Sequence, residues 1–354
     1  MTVTLGRPLT PDPEVFAELA RGVWERARWT NGGPLVTALE RSLEETEGWP
    51  HAVATASGTA ALTAALVSLG LPRGGEVITS PITFRATPLA IEHAGLTPVF
   101  AASDPETLCL DPRAVEQAIG SSTVAILPVH LFGVPADPAL DDLAAAHALP
   151  VVYDAAHAFG LPDIVGRGTL TAYSLHATKL LHTGEGGFVA TQSAALRERV
   201  RQSANFGIDG GSDSHAGING KLSEIAAAVG LATLPRLESE IAARAALREA
   251  YTAAAERGAR ARPHVPGRTR ALVMEAVRCA PRDQSRIVAE FADRDVIART
   301  FPALCAPGQR YADSPIVGAS AQDMAALAQT VIALPLHGEV RPIDVAAISD
   351  VLAR

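Results

Sequence analysis

The sequence predicts an α/β protein: a large domain on a mostly parallel mixed sheet flanked by helices, and a smaller C-terminal α+β domain. Three observations carry this. Short β-rich runs alternate with Ala/Leu-rich helical segments over the first two-thirds of the chain, as βαβ units do. The 354 residues are 48% hydrophobic but only 5% aromatic, and a core of Ala, Val and Leu suits an α/β protein better than a β-sandwich. The texture then changes at residue 222, where "LSEIAAAVGLATLPRLESEIAARAALREAYTAAAERG" reads as one long helix bent near Pro235.

Taken in order, the strands are "EVITS" (76–80), "LTPVF" (96–100), "TVAILPV" (123–129), "LPVVYD" (149–154), "LTAYSL" (170–175) and "GFVAT" (187–191). The helical segments between them are 59–69, 86–94, 112–119, 138–148 and 193–203. After the long helix, a strand is expected at 271–278 and helices at 283–294, 322–331 and 343–353. The large domain is drawn as 1–235 and the small one as 236–354, with residues 1–25 packing with the small domain. "HAGING" and the Pro/Gly-rich 302–318 are the expected long loops.

Net charge is −8, with 30 basic and 38 acidic residues and no basic stripe, which argues against nucleic acid as a partner. No run reaches the length of a membrane span, and the N-terminus lacks the pattern of a secretory signal. The three cysteines, Cys109, Cys279 and Cys305, are widely spaced and odd in number. They point to a reducing compartment, so a cytoplasmic location is expected.

The chemistry-bearing residues fall where ligands bind open α/β sheets, beyond the carboxyl ends of strands. Ser57 and Gly58 precede the apolar helix that Thr59 opens, and free N–H groups at such a helix start make an anion site. The same residues would also serve as an ordinary N-cap. Asp154 ends an apolar strand, where a carboxylate must be paired or hydrogen-bonded. It could cap the next segment or act as counter-ion to a buried ring nitrogen. Ser174 ends the next strand and Lys179 follows five residues on. A Lys among apolar neighbours can have its pKa lowered and attack carbonyls, although a lone Lys is more often an exposed surface cation; the glycines after it let backbone approach closely. His130, His157, His176 and His182 have no metal-ligand spacing, so no metal is expected. Phosphate site, strand-end Asp, Ser and Lys, in that order, are the parts an aldehyde cofactor with a phosphate and a pyridinium nitrogen requires.

Seven blocks carry a family resemblance: "WTNGGPLVTALE" (29–40), "ASGTAAL" (56–62), "GGEVITSPITFRAT" (74–87), "VHLFGVPAD" (129–137), "YDAAHAFG" (153–160), "YSLHATKLLHTGEGG" (173–187) and "GINGKLSEIAAAVGLATL" (217–234). In this order they resemble the DegT/DnrJ/EryC1/StrS sugar aminotransferases, fold type I enzymes that use pyridoxal 5′-phosphate (PLP). The last third resembles the family weakly, through "RTFPALCAP" and "IALPLH".

The resemblance implies roles. Lys179 would hold PLP as a Schiff base, and Asp154 would pair with its ring nitrogen. Ser57, Gly58, Thr59 and Ser174 would hold the phosphate. Phe84 would stack on the ring, although a Phe is more often a core residue. Asn219 would reach the phosphate of a neighbouring subunit's cofactor, implying a homodimer with shared sites. Thr30 and Asn31 would lie near the substrate. His157 stands where many members have Gln against the ring hydroxyl, and Lys221 where Arg is common. The segment 262–280 looks short against family members.

The implied activity is transfer of an amino group from an amino acid, glutamate by analogy, to the keto group of a nucleotide-linked deoxysugar, in two half-reactions with ping-pong kinetics. The presence of Lys179 sets the chain apart from members in which His replaces that Lys and which act as dehydratases. An Ala/Arg-rich composition suits a high-GC genome, where such enzymes serve antibiotic sugars. Two other readings fit the same blocks: a PLP enzyme of this fold acting on a non-nucleotide ketone or aldehyde, and a non-catalytic PLP-binding regulator. The C3 or C4 position of amination stays open.

Overall fold

The structure is a computed structural model that describes residues 2–209, 212–213, 216–264 and 273–354. His215 of "HAGING" and the start of the strand expected at 271–278 lie outside the described residues, as does part of the 262–280 segment.

The large sheet is built from β1 (His51–Thr55), β2 (Glu76–Thr79), β3 (Thr97–Ala101), β4 (Thr123–Leu127), β5 (Val152–Asp154), β6 (Leu170–Ser174) and β7 (Gly187–Thr191). Two four-stranded pieces run β12-β3-β2-β4 and β1-β7-β6-β5, where β12 is Ile316–Val317. Parallel bridges Ile126↔Val151 and Val129↔Asp154 join them across β4 and β5. Only β7 runs antiparallel to its neighbours. The carboxyl ends of β1, β2, β5 and β6 therefore share one edge, which sets Ser57, Phe84, Asp154 and Ser174 on the same side of the molecule.

The strands are largely buried, as expected for a sheet covered on both faces, with the start of β3 the more exposed part. Helices α3 (Gly58–Ser68), α4 (Ala86–His93), α5 (Pro112–Ala118), α6 (Ala139–Ala146) and α7 (Ala194–Ser203) follow the expected segments within two residues. The chain at 222–258 divides into α8 (Glu224–Thr233) and α9 (Leu237–Arg257), with a 3-10 turn at Leu234–Arg236 around Pro235.

Elements that the composition does not announce also appear. Helices α1 (Pro13–Arg26) and α2 (Pro34–Glu47) precede β1. "HAVAT" forms β1 although it holds only two β-branched residues; its pairing with β7 and burial decide it. A short hairpin joins β8 (Ile208–Asp209) to β9 (Ser212–Asp213).

In the C-terminal region, β10 (Ala261–Pro263), β11 (Glu275–Cys279) and β13 (Val331–Leu334) make an antiparallel sheet. It packs with α9, α10 (Pro281–Ala292) and α12 (Pro342–Leu352) around a separate apolar core that includes Tyr251, Phe291, Ile332 and Ile348. Helix α11 (Ala321–Ala328) follows the 302–318 segment, which was expected as loop. Within that segment β12 returns to the large sheet and pairs in parallel with Phe100–Ala101. Of the first 25 residues, Val3 bridges Val296 and Leu5 O accepts from Leu336 N, both in the C-terminal region. Helix α1 instead lies on α8, where Asp12 N donates to Ala232 O at 2.9 Å.

Candidate active site

A cavity of about 410 Å3 opens at the shared strand edge, lined by Ser57, Gly58, Thr59, Phe84, Asp154, His157, Ser174 and Lys179 together. Eight of the eleven residues expected at the site thus meet around one space. Thr30, Asn31 and Asn219 do not line it; all three are exposed.

One end of the cavity is built for an anion. Ser57 caps α3, its Oγ accepting from Ala60 N at 3.0 Å. Capping and anion binding are compatible here, because the N–H groups of Gly58 and Thr59 have no partner among the described residues. A Cβ on Gly58 would sit 2.9 Å from the Cβ of Ser174, so only glycine lets the helix start come this close to β6. The glycines of "TGEGG" act similarly: a Cβ on Gly187 would meet the Ser57 backbone at 2.7 Å.

At the other end lies Asp154, only 4% exposed. Its Oδ2 accepts from Thr87 Oγ1 at 2.8 Å and its Oδ1 from Ala156 N at 3.1 Å. Burial raises its pKa, while Thr87, Ala156 and the charge of Lys179 pull the other way. A carboxylate so placed favours a cationic or N–H partner in the cavity. Residues 155–160 form turns rather than the helix that an N-cap would have started.

Lys179 stands on the loop after β6, half-buried, its N–H donating to His176 O at 2.8 Å. Burial lowers its pKa to about 8, against the opposing pull of Asp154. A substantial neutral fraction at neutral pH makes it a competent amine nucleophile. Beside it, His157 is held neutral: burial and the nearby Lys179 charge push its pKa well below the usual range. Its Nδ1 accepts from Phe132 N at 3.3 Å, which puts the proton on Nε2. Phe132, left-handed at φ 52°, stacks on the same ring with centroids 6.0 Å apart. Phe84 is 63% exposed at the cavity wall and so is not a core residue.

Sequence reasoning missed the walls contributed from elsewhere. Thr4, Leu5 and Gly6 come from the N-terminus, and Met274, Arg299 and Phe301 from the C-terminal region. Arg299 and Phe301 sit in the weakly matching "RTFPALCAP", and that was the only signal for them.

The remaining histidines have structural partners. His130 Nδ1 accepts from Ala136 N and its ring stacks on Tyr153; His182 Nε2 bonds Leu9 O. Among the described residues no cluster of His, Cys, Asp and Glu has the makeup of a metal site.

The profile of the DegT/DnrJ/EryC1/StrS aminotransferase family matches residues 12–353. The chain belongs to this family.

Its fold is accordingly that of the fold type I PLP aminotransferases. A curated family relative, dTDP-4-amino-4,6-dideoxy-D-glucose transaminase of Shigella dysenteriae, is 40% identical over 239 residues, 66% of this chain. That match spans 65% of the relative's own length. Among solved structures, DesI in the presence of its TDP-sugar product superposes with a TM-score of 0.90 at 32% identity, covering 99% of this chain and 92% of that one. DesV of S. venezuelae, in complex with a ketimine intermediate, superposes with a TM-score of 0.86 at 30% identity, covering 98% of each chain.

Proposed function

We propose that this family member is a PLP-dependent aminotransferase that moves an amino group from an amino acid to the keto group of a nucleotide-linked deoxysugar. The observation that carries the reading is the convergence of Lys179, Asp154, Ser174 and the open N–H groups of Gly58 and Thr59 around one cavity. This donor set fits the cofactor: an amine for its aldehyde, a buried carboxylate for its ring nitrogen, and an anion cradle that a Cβ at position 58 would fill.

When bound, PLP supplies the electron sink that stabilises negative charge at the amino-acid α carbon. The chain does the rest. Lys179 Nζ anchors the cofactor and, once released, takes and returns the proton at the α carbon. The Asp154 carboxylate holds a proton at the ring nitrogen. Ser174 and the Gly58 and Thr59 N–H groups fix the phosphate, with the Ser57 cap holding that helix start in place. His157 Nε2–H would donate to the ring hydroxyl, and Phe84 would cover a ring face.

Glutamate is the proposed donor, with both half-reactions through this one site and therefore ping-pong kinetics. The nucleotide-sugar acceptor is supported by the dTDP-sugar transaminase and TDP-sugar names of the relatives. A homodimer with shared sites is supported by Thr30, Asn31 and Asn219, which are exposed away from the cavity of their own chain. A cytoplasmic location is supported by three free cysteines, and among the described residues no helix is long and apolar enough to cross a membrane.

The test is a half-reaction screen. Protein loaded with pyridoxamine phosphate is mixed with nucleotide-linked and free ketones, and return of the visible cofactor band is followed. Return with nucleotide-linked keto-deoxysugars is expected. Return with free ketones alone would overturn the acceptor, and wild-type absorbance surviving in Lys179→Ala would overturn the site.

A further inference from the structure

Asp154 is held by an arrangement that the cofactor reading does not require and does not explain. Behind its Oδ2 stand two hydroxyls in series. Thr87 Oγ1 lies 2.8 Å from Oδ2, and Thr83 Oγ1 lies 2.7 Å from Thr87 Oγ1. All three side chains are buried, at 9% exposure or less. Thr83 and Thr87 come from "ITFRAT", just beyond β2 and in the first turn of α4, so a separate βα unit reaches across to the end of β5.

The proton count fixes the direction. Thr87 has one hydroxyl proton, and an ionised Asp154 can only accept it. Thr87 Oγ1 must then accept from Thr83. With Ala156 N donating to Oδ1, each carboxylate oxygen has one fixed donor. The side chain cannot rotate without losing both bonds, and the residue lines the cavity. Hydrogen bonds in such a chain polarise one another.

We infer that Thr83 and Thr87 form a hydroxyl relay that orients Asp154 and keeps its carboxyl ionised toward the cofactor ring. Both are positioning residues. The inference rests on Asp154 being the cofactor's ring partner, but the relay itself can be read without cofactor. The charged group acting on Asp154 among the described residues is Lys179; neutral His157 shares the cavity. Burial works against ionisation, so the donors and Lys179 are what oppose it.

The test uses full-length protein with 13C-labelled aspartate and no cofactor, the Asp154→Asn spectrum identifying the Asp154 carboxyl signal. Thr87→Val keeps the shape and removes the donor. The sign is fixed: a lost donor to the charged form raises the carboxyl pKa. The Asp154 titration is expected to move up by about one unit or more, equivalent to tenfold. PLP affinity, followed by quenching of protein fluorescence, should fall on the order of tenfold. Thr87→Ser should restore both. Thr83→Val, which leaves the Thr87 donor in place, should shift the titration the same way by less.

Thr87→Val with the Asp154 titration at its wild-type position would overturn the relay. Should Thr87→Val fail to fold, an unmoved titration in Thr83→Val overturns it instead. Failure of the cofactor reading looks different: wild-type protein would not attach PLP at Lys179, while the titration shift would still appear.

Discussion

The cavity floor and the outer face carrying residues 24–31, 205–208 and 216–221 are built on opposite terms. On the floor, polar groups are held from several sides: Asp154 by Thr87 and Ala156, His157 by the Phe132 backbone, Gly58 by the approach of Ser174. On the outer face, Trp24, Trp29 and Phe206 are 62%, 44% and 52% exposed. There Trp24 and Trp29 pack edge to face on each other at 4.4 Å. One chain completes the floor because strand ends and helix starts suffice to place its groups. The outer face exposes large aromatic surface beside Thr30 and Asn31, where the proposed dimer contact would lie.

Glu224 is the sharpest place to separate the two. It is fully buried, and its carboxylate accepts from Leu35 N at 3.0 Å and Val36 N at 2.9 Å, at the start of α2. Its own N–H donates to Trp29 O at 2.9 Å. The carboxylate thus satisfies orphan donors and the positive end of α2 at once. Gly33 is glycine because a Cβ there would lie 2.5 Å from the carboxylate carbon. Replacing Glu224 by Ala strands two buried donors and is expected to cost about 3 kcal/mol, read as a lower urea midpoint. Gly33→Ala should destabilise as well. Because Glu224 lies outside the cavity wall, PLP affinity of the folded Glu224→Ala protein should stay near wild type at concentrations where the proposed dimer persists, while self-association weakens. Loss of PLP affinity with unchanged association would show that the two regions are not separable.

That contrast also governs what the sequence makes legible. Asp154, Ser174 and Lys179 are readable because strand ends in a parallel sheet are a geometric rule, and the rule places them on one edge. The pairing of "NGGP" with "LSE" is not readable from spacing: Gly33 and Glu224 meet only through tertiary packing of α2 and α8. Helices α1 and α2 do carry start signals, Asp12 before Pro13 and Gly33 before Pro34, but they lie ahead of the strand–helix alternation; β1 is held by its neighbours more than by its residues. Arg299 and Phe301 enter the cavity from a segment with long irregular stretches, where no period marks which side chain faces inward. The strand β12 inside that segment is only two residues long, too short for any alternation to show. Thr83 and Thr87 lie within the "GGEVITSPITFRAT" block, yet the contact of Thr87 with Asp154 spans 67 residues.

A smaller effect sharpens the floor. Burial holds the Lys179 amine near a pKa of about 8, so the neutral fraction climbs as pH rises through that value. The rate at which cofactor-free protein captures PLP should rise about tenfold between pH 7 and 9 and level off. A lysine with the ordinary pKa would instead give about a hundredfold rise over the same range with no plateau. Stopped-flow absorbance distinguishes the two curves, and the hundredfold, unsaturated rise would mean that the floor does not desolvate Lys179.

The smallest effect belongs to the outer face. Lys221 Nζ lies 4.2 Å from the centre of the Phe206 ring, and burial lowers its pKa below that of a free lysine. Phe206 adopts a left-handed backbone at φ 61°, an unfavourable conformation for a bulky residue that surrounding contacts must hold. A partly exposed cation–π contact contributes about 0.5 kcal/mol, and Lys221→Met should lose that much. Lys221→Arg should lose nothing, since a guanidinium stacks on an aromatic face at least as well. The backbone here touches the floor: Ala56 N, one residue before the α3 cap, donates to Gly220 O at 2.7 Å. If the outer face is independent of the floor, Lys221→Met will lower the urea midpoint slightly and leave PLP affinity unchanged. A parallel fall in affinity would place the coupling in the backbone pairing of Thr55 and Ala56 with Lys221 and Gly220, where the two regions meet.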